Sequence, residues 1–355
     1  MRNYKITVFA IHRPFRAPNE KYRWMQFANH LPPKWQTEYL YLLNECDDKM
    51  LFQSKNIILK VFIFIKTFFK RLWQIITLKN TDTIIIYREL HWFHCPLLTY
   101  ILKKKCRHLV YDFDDAIFLP IQNPFIQLIK QPSAKTKHLI KKAHVTIVGN
   151  HYLQSFAEQH SQKVILIPTV VDTNYFTPLH HLRHKPDKIT IGWMGSHSTI
   201  PHLLSIAEVL NTLREKYPIM ELKVIGKKIY LPELKIYAEE WNLENEVTTL
   251  NTFDIGIMPL PNDEWSKGKC GLKMLTYLAC EIPCIASNTG TNTEIIENTK
   301  GGLLANNPQE WLNALSTLIE NKEKRIQLGI QGRIGVIKHY SVEQWKNIFI
   351  NALCT

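Results

Sequence analysis

The stretch DEWSKGKCGLKMLTYLACEIPCIAS, residues 263–287, passes from a polar loop into a helical pattern and ends in a short apolar run. Three lysines, at positions 267, 269 and 273, crowd the loop and the predicted first helical turn. The free N–H groups and the dipole of a helix N-terminus favour acidic residues there. Basic residues gathered at this position therefore indicate that an anion is held from outside the chain.

The same order of loop, helix and strand recurs on both sides of this stretch. Short apolar runs alternate with helical patterns, which predicts parallel sheets covered by helices on both faces. The predicted strands are 5–11, 37–43, 83–87, 108–113, 144–148, 163–167, 188–193, 220–225, 254–258, 283–286 and 302–304, and the main predicted helices are 21–31, 134–142, 200–216, 232–241, 270–280, 308–320 and 322–338.

A polar segment with two prolines, residues 177–188, separates the two halves and is interpreted as a linker. We therefore predict two doubly wound α/β domains, residues 1–176 and 177–338, followed by a C-terminal helix in 339–355. Ser341 is the expected N-cap of that helix, with Gln344 at the capping-box position. Ligands of such sheets bind at the carboxyl ends of the strands, in a cleft that we expect between the domains.

Charge is distributed unevenly along the chain. The formal net charge is +13 over 355 residues, and all of this excess lies in residues 1–172, which hold 25 basic and 12 acidic residues. Such asymmetry predicts that one domain meets an anionic surface. No nucleic-acid-binding motif accompanies the charge, so a membrane is favoured over nucleic acid.

The composition argues against several other classes of protein. The apolar run at the N-terminus is interpreted as a strand, and no segment has the length of uncharged apolar sequence that a transmembrane helix needs. The seven cysteines form no CxxC pair and are interpreted as free thiols of a reducing compartment. Histidines 180, 181 and 184 are assigned to the solvated linker, and no metal site is predicted.

The segment 55–79 combines six cations with a broad apolar surface that includes Trp73. Plotted as a helix, it places its polar residues on one side, which is typical of a helix lying in a membrane interface. A core-packed helix with snorkelling lysines is the alternative. That polar side holds Lys60, Thr67, Lys70, Arg71 and Gln74, and the rest of the helix surface is Ile, Leu, Val and Phe.

Three acids, Asp112, Asp114 and Asp115, end the predicted strand 108–113. Carboxylates at a strand end could orient a sugar hydroxyl or act as a base. Helix capping and a salt bridge within the basic domain are the alternatives, and Mg²⁺ binding is disfavoured. We select Asp114 and Asp115 as candidate catalytic residues.

Small polar turns follow three strands of the second half. The turn after strand 188–193 offers backbone N–H groups and hydroxyls suited to a phosphate, although Ser198 or Thr199 could instead cap a helix. In the opening stretch, glycine lets the backbone approach a ligand and lysines supply charge. The candidate ligand-binding residues of these loops are Gly195, Ser196, Ser198, Thr199, Gly268, Lys269, Lys273, Gly290 and Glu294, together with Gly226 at the end of strand 220–225.

The order of these motifs resembles the glycosyltransferase family 4 type of the GT-B fold. The residues that carry the resemblance are IVGNHYL (147–153), IPTVVDTNYF (167–176), IGWMGSHST (191–199), FDIGIMPL (253–260), GKCGLKMLTYLACEIPCIAS (268–287) and GTNTEII (290–296). The resemblance implies two Rossmann-like domains, a nucleotide-sugar donor held by the C-terminal one and an acceptor held by the N-terminal one. It also implies transfer with retention, without metal or cofactor, and a final helix that returns to the N-terminal domain.

The sequence departs from the commonest pattern of that family. The two expected glutamates are replaced by Gly268 and Thr276, so a ribose contact by Thr276 is in doubt. The usual Arg and Lys after the first strand of the domain are replaced by Ser196 and His197. The chain looks like the branch with a Gly-Lys-Cys-x-x-Lys loop, so the role of a catalytic cation passes to Lys269, with Lys273 one turn further on.

The leading hypothesis is a retaining glycosyltransferase that acts on a lipid-linked or surface-glycan acceptor. On this hypothesis the anion is a sugar-nucleotide pyrophosphate, and the protein is cytoplasmic and peripheral on the inner face of the cell membrane. The alternatives are a GT-B-like nucleotide-sugar epimerase and a non-enzymatic, membrane-docked sugar-nucleotide-binding protein.

Overall fold

The computed structural model describes residues 4–13, 21–54, 56–183 and 187–354. The chain divides into an N-terminal unit, residues 1–168 with 346–355, and a C-terminal unit, residues 169–345. Sequence patterns set these boundaries at 176/177 and 338/339. Lys55 of the basic segment 55–79 and His184 of the linker lie outside the described residues.

Six parallel strands form the sheet of the N-terminal unit, in the order β2-β1-β3-β4-β5-β6. Its strands are almost wholly apolar where they are covered on both faces, as in Ile84–Ile86 of β3. The strands are β1 (Tyr4–Ala10), β2 (Trp35–Tyr41), β3 (Thr81–Tyr87), β4 (Cys106–Phe113), β5 (Val145–Val148) and β6 (Val164–Leu166), and the helices are α1 (Gln26–Ala28), α2 (Glu45–Gln53), α3 (Ile57–Thr77), α4 (Pro96–Lys103), α5 (Pro124–Lys130), α6 (Pro132–Lys142) and α7 (His151–Glu158).

Seven strands form the sheet of the C-terminal unit, in the order β13-β12-β11-β7-β8-β10-β9. All neighbours are parallel except β9 and β10. The strands are β7 (Ile189–Met194), β8 (Met220–Gly226), β9 (Ile229–Leu231), β10 (Ile236–Glu240), β11 (Ile255–Met258), β12 (Cys284–Ser287) and β13 (Gly302–Ala305), and the helices are α8 (Ile200–Leu204), α9 (Ala207–Lys216), α10 (Glu246–Leu250), α11 (Glu264–Lys267), α12 (Leu272–Ala279), α13 (Thr291–Thr299), α14 (Pro308–Glu320) and α15 (Lys322–Tyr340). Both units are Rossmann-like, which confirms the predicted fold class.

The predicted helix 232–241 is wrong, because this segment forms the strand β10 of a hairpin with β9. Lys235 adopts a left-handed conformation, with φ 52°, at the turn between the two strands. β-Branched and aromatic residues then favour an extended strand. The rings of Tyr230 and Tyr237 pack across the hairpin with centroids 4.9 Å apart, a contact between strands that periodicity along the chain did not indicate.

The segment 55–79 contains the helix α3, and its polar side is the one that packs on the protein. Arg71 and Thr67 are fully buried and Gln74 is buried, so the polar side of the helix faces the protein. Lys70 donates to the carbonyl of Leu42 at 2.7 Å, and Lys66 pairs with Asp47 at 2.8 Å. The large apolar side chains of the opposite side are exposed instead.

The last helix, α16 (Val342–Ala352), carries the chain back into the N-terminal unit. The ring of Phe349 stacks on Phe27 at 4.3 Å, and Thr83 donates to the carbonyl of Leu353 at 2.7 Å. Ser341 accepts from the N–H of Gln344 at 3.3 Å, the contact expected of an N-cap.

Candidate functional site

Strand order identifies the ligand-binding edge of the C-terminal sheet. The chain runs from β7 outward through β8 to the hairpin, then returns to β11 on the other side of β7. The switch point of a doubly wound sheet lies between the two strands at which the order reverses, and ligands bind at their carboxyl ends. The turn 195–199 and the loop 259–271, which follow β7 and β11, therefore flank the expected site.

Two glycines hold the turn after β7 against the sheet. The N–H of Gly195 donates to the carbonyl of Ile225 at 2.9 Å. A Cβ atom at Gly226 would lie 2.1 Å from the carbonyl oxygen of Gly195, so a larger residue cannot stand there without moving the turn. Gly226, a candidate ligand contact from the sequence, thus supports the turn from behind.

The hydroxyl groups of the turn cap no helix. Helix α8 begins after Thr199, whose side chain makes no capping hydrogen bond, and Ser196 makes none for the preceding short turn. Instead the Ser196 and Ser198 hydroxyls lie 2.9 Å apart on the surface, and Thr199 donates to the carbonyl of Ser196 at 2.9 Å. The capping alternative is therefore not observed, and two adjacent hydroxyls are presented to solvent.

Lys273 extends from the first turn of α12 to this same turn. Its Nζ lies 4.2 Å from the centre of the Trp193 ring and 3.4 Å from Oγ1 of Thr199. A Cβ atom added to Gly195 would come within 2.7 Å of that Nζ. Burial, helped by the charge of Lys269, lowers the pKa of Lys273 to about 7. The site thus holds a desolvated cation against an aromatic face.

Lys269 precedes this helix and is half-buried, with its Nζ 4.8 Å from the centre of the Trp265 ring. Gly268 has an ordinary right-handed conformation, with φ −76°, so its position does not require glycine for the backbone angle. Gly271, the N-cap of α12, does require glycine, because its φ is 70°. Lys267 pairs with Glu264 at 2.6 Å at the surface.

Thr276 lies one turn further along α12 and is fully buried. Its hydroxyl donates to the carbonyl of Lys273 at 2.8 Å, a local bond along the helix. A ribose contact by Thr276 stays a prediction, and in this structure its hydroxyl is engaged within the helix.

The loop after β12 packs on the opening stretch. Gly290 has φ 56°, and a Cβ atom there would lie 3.0 Å from the Cα of Lys267. Glu294 is half-buried in the first turn of α13, beyond this contact. Gly290 therefore lets the loops after β11 and β12 pack closely together.

The candidate carboxylates of the N-terminal unit are engaged by arginines. Asp114 accepts from Nε of Arg88 at 2.7 Å and from the Tyr87 hydroxyl at 3.0 Å, and Asp115 pairs with the same guanidinium. No helix starts at either residue, so the salt-bridge alternative describes them better than capping. Burial opposes ionisation of Asp114, but Arg88 outweighs it and lowers the pKa, so Asp114 is an anion and a weak base.

Asp112 is buried deeper in the same unit. It accepts from Nε and from a terminal nitrogen of Arg23, at 2.9 and 2.8 Å. Burial raises the pKa of Asp112 to about 6, although Arg23 opposes the shift. Asp112 therefore holds the Arg23 guanidinium inside the unit, where Arg23 also donates to the carbonyl groups of Ile167 and Pro168.

Sequence reasoning missed three residues that shape these sites. Trp193, 1% exposed, forms the wall against which Lys273 rests. Tyr277 accepts from the N–H of Met194 at 2.9 Å and ties α12 to the end of β7. Arg88 neutralises the acidic strand end. Along the chain, Trp193 and Tyr277 look like ordinary core residues. The one available signal for Trp193 was its place near the end of β7, inside the motif 191–199.

Searches for two other kinds of site gave negative results within the described ranges. Residues 4–13, 21–54, 56–183 and 187–354 contain no cluster of three His, Cys, Asp or Glu side chains placed to hold a metal. In the same part of the chain, no helix combines the length and apolar character needed to cross a bilayer.

Parts of the sequence are similar to known proteins. Residues 188–321 match the family described as Glycosyl transferases group 1. An uncharacterized glycosyltransferase of Haemophilus influenzae is 27% identical over 214 residues, an alignment that covers 54% of this chain and 57% of that relative.

Solved structures share the fold over nearly the whole chain. Sucrose-phosphate synthase from Thermosynechococcus elongatus superposes with a TM-score of 0.72 at 13% identity, covering 98% of this chain and 97% of that one. A glycosyltransferase from Rickettsia africae gives 0.65 at 13% identity, with 99% and 98% covered. Anabaena HepE, solved in complex with UDP, gives 0.63 at 12% identity, with 99% of both chains covered. The protein therefore has the GT-B fold, and its residues 188–321 match the glycosyl transferases group 1 family.

Proposed function

We propose that the protein is a retaining glycosyltransferase of the family 4 type, in the branch with the Gly-Lys-Cys-x-x-Lys loop. It moves a sugar from a nucleotide-sugar donor, held by the C-terminal unit, to an acceptor held by the N-terminal unit. The observation that carries the proposal is the ammonium of half-buried Lys273, which lies over the Trp193 ring and beside Thr199 of the turn at the switch point. The UDP in the HepE structure and the group 1 domain support a nucleotide-sugar donor.

The proposed chemistry follows from the charge that develops in the reaction. The bond between the anomeric carbon and the diphosphate oxygen breaks, and its electron pair leaves with the diphosphate. The acceptor hydroxyl forms the new bond to that carbon and passes its proton to an oxygen of the leaving diphosphate. Fixed cations and N–H groups aimed at the diphosphate lower this barrier without reorganising. Lys273 and Lys269 supply the cations, and the Gly195–Thr199 turn supplies N–H groups and hydroxyls.

Burial makes Lys273 suited to this task. An ammonium group in a desolvated setting binds an anion more strongly than one in water, because the local dielectric is lower. Among the described residues, its hydrogen-bond partner is the Thr199 hydroxyl at the long distance of 3.4 Å. A diphosphate oxygen would provide the acceptor that this cation otherwise lacks. No cofactor or metal is invoked in the proposal.

The acceptor is proposed to be lipid-linked or part of a surface glycan. The N-terminal unit carries 26 basic and 11 acidic residues, a net charge of +15, which supports association with the anionic inner face of a cell membrane. Asp114 and Asp115 at the end of β4 are proposed to orient an acceptor hydroxyl. Because Arg88 binds both carboxylates, they are positioning groups in this proposal, without the role of general base.

One experiment tests the function. The purified protein is titrated by calorimetry with a panel of nucleoside diphosphates, and a matching panel of nucleotide sugars is then incubated with membrane extract. Transfer of labelled sugar into the lipid fraction is expected for one donor. Release of free or epimerised sugar without acceptor would favour the epimerase, and binding without turnover would favour a sugar-nucleotide-binding protein. Failure to bind any nucleoside diphosphate would overturn the proposal.

A further inference from the structure

Helix α3 presents its apolar side to the outside along its whole length. Its exposed side chains follow one stripe at helical spacing, and Phe62, Phe69 and Trp73 are 60%, 62% and 64% exposed. Soluble proteins seldom leave so many large apolar groups uncovered on one face. The stripe consists mainly of Ile58, Phe62, Ile65, Phe69, Trp73 and Ile76.

The opposite side of α3 is fixed to the protein by polar contacts. The guanidinium of Arg71 donates to the carbonyl groups of Ala10, Leu40 and Leu90, at 2.6, 3.1 and 2.8 Å. Gln74 reaches the carbonyl of Tyr41 at 3.2 Å. Because these bonds set the rotation of the helix, the apolar stripe cannot turn inward without leaving Arg71 and several carbonyl groups unsatisfied.

These contacts also locate the helix relative to the sheet. Ala10 ends β1 and Leu40 lies next to the end of β2, so Arg71 sits at the carboxyl edge. The preceding half of α3 packs Ile63 against Ile11 and Leu42, which follow those two strands. The exposed stripe of that half therefore lies beyond the carboxyl edge, where parallel sheets bind ligands.

The charge and the aromatic residues around α3 indicate what binds to its apolar stripe. The N-terminal unit has a net charge of +15, and Lys104 lies over the ring of Tyr100, an exposed aromatic of the neighbouring helix α4. Aromatic and basic residues beside inserted aliphatic groups are typical of a helix in a membrane interface. A second copy of the chain would bring two units of the same high charge together, which disfavours it.

We infer that α3 inserts its Ile58–Ile76 stripe into the acyl boundary of an anionic phospholipid bilayer, with Lys70 and Arg71 on the opposite side held against the protein. Attachment then depends on apolar insertion, and the net charge of the unit only attracts it to the surface. The carboxyl edge of the N-terminal sheet comes to lie at the bilayer. Resting on the proposed function, this places a lipid-linked acceptor with its chain in the membrane and its head group at that edge.

The test compares two triple variants with equal numbers of exposed apolar side chains removed. The first is Phe62→Gln, Phe69→Gln and Trp73→Gln on α3. The matched control is Ile330→Gln, Ile334→Gln and Ile337→Gln on α15 of the C-terminal unit, where these residues are 44%, 61% and 45% exposed. Flotation with vesicles of mixed phosphatidylcholine and phosphatidylglycerol, or phosphatidylcholine alone, measures binding.

The α3 variant is expected to lose affinity for the mixed vesicles by about 1,000-fold, since each of the three inserted side chains contributes roughly tenfold or more. The control is expected to bind as the unchanged protein does, and high salt is expected to weaken binding without abolishing it. A photoreactive group on the lipid chains is expected to label residues 57–77.

Equal loss in both variants, or undiminished binding of the α3 variant, would overturn the inference. A change of oligomeric state in the α3 variant, without vesicle binding by the unchanged protein, would assign the stripe to a second copy. Nucleoside diphosphate affinity of the same variant is measured in parallel. If the variant keeps nucleotide binding but loses flotation, the membrane inference is tested independently of the proposed donor site. If the proposed donor site is wrong, nucleotide binding is absent while flotation of the unchanged protein persists.

Discussion

Two helix-borne cations, the buried Arg71 on α3 and the half-buried Lys273 on α12, look alike in the sequence but differ in what surrounds them. Both lie on helices with mainly apolar neighbours, and burial lowers the pKa of each. Arg71 donates to three carbonyl groups and to Gln74. Lys273 has an aromatic ring and one distant hydroxyl. A buried cation whose donors are all engaged is structural, whereas one left with weak contacts is suited to a ligand.

The largest effect is expected from removing the structural cation. Arg71→Met should lower the free energy of unfolding by about 3–5 kcal/mol, because several buried carbonyl groups lose their donor. Chemical denaturation measures this loss. The control Lys79→Met removes an exposed cation just after the same helix and should change stability by less than about 0.5 kcal/mol. Similar stabilities of the two variants would contradict the assignment of Arg71.

The second largest effect is expected on catalysis, without a loss of stability. Lys273→Met should lower kcat/KM by about 100-fold or more, equivalent to roughly 3–4 kcal/mol of transition-state stabilisation. Its stability should stay the same or rise by about 1 kcal/mol, because a poorly solvated ammonium is removed. Lys267→Met is the matched control, since Lys267 pairs with Glu264 at the surface. Loss of stability without loss of nucleotide affinity would make Lys273 a structural residue like Arg71.

The pKa of Lys273 makes the comparison sensitive to pH. Its cationic form predominates below about pH 7 and is lost as the pH rises, so affinity for a nucleoside diphosphate should fall between pH 6 and pH 8.5. Calorimetry in buffers of different ionisation enthalpy should show proton uptake on binding near neutral pH.

The same shift has a consequence for stability. The folded-state pKa of about 7 lies below the ordinary value of 10.5, so the unfolded chain binds more protons between these values. The contribution of Lys273 to the free energy of unfolding therefore rises with pH across that window. Lys273→Met should remove this slope, and an unchanged slope would refute the lowered pKa.

The smallest effect is expected at Lys269. This lysine lies over Trp265 of its own loop, whereas Lys273 contacts Thr199 of the turn at the switch point. Lys269→Ala should weaken nucleoside diphosphate binding by roughly tenfold, near 1.4 kcal/mol, and Lys269→Arg should restore only part of it. Titration calorimetry on the unchanged protein, Lys269→Ala and Lys269→Arg measures these affinities. A larger loss for Lys269→Ala than for Lys273→Met would reverse the assignment of the main cation.

Much of the donor site could be predicted from the sequence because it is local. The turn 195–199 and the lysines at 269 and 273 belong to short segments whose strand–turn–helix order shows in the residue pattern. The wrong prediction of a helix at 232–241 arose because the structure of that segment depends on contacts distant in the sequence. That segment is extended because β9 and β8 offer it hydrogen-bond partners, and such partners are not visible in the periodicity of a single segment.

The sequence by itself determined the two α/β units, their charge asymmetry and the polar strand-end loops, since alternation of apolar runs reflects burial along each element. Only the tertiary structure decided which side of α3 faces inward, which arginines engage Asp112, Asp114 and Asp115, and that Lys273 meets Trp193. A helical pattern separates two faces but cannot tell which one the protein covers. That choice depends on carbonyl groups and rings brought together from distant parts of the chain, where an unsatisfied buried group costs more than an exposed apolar one.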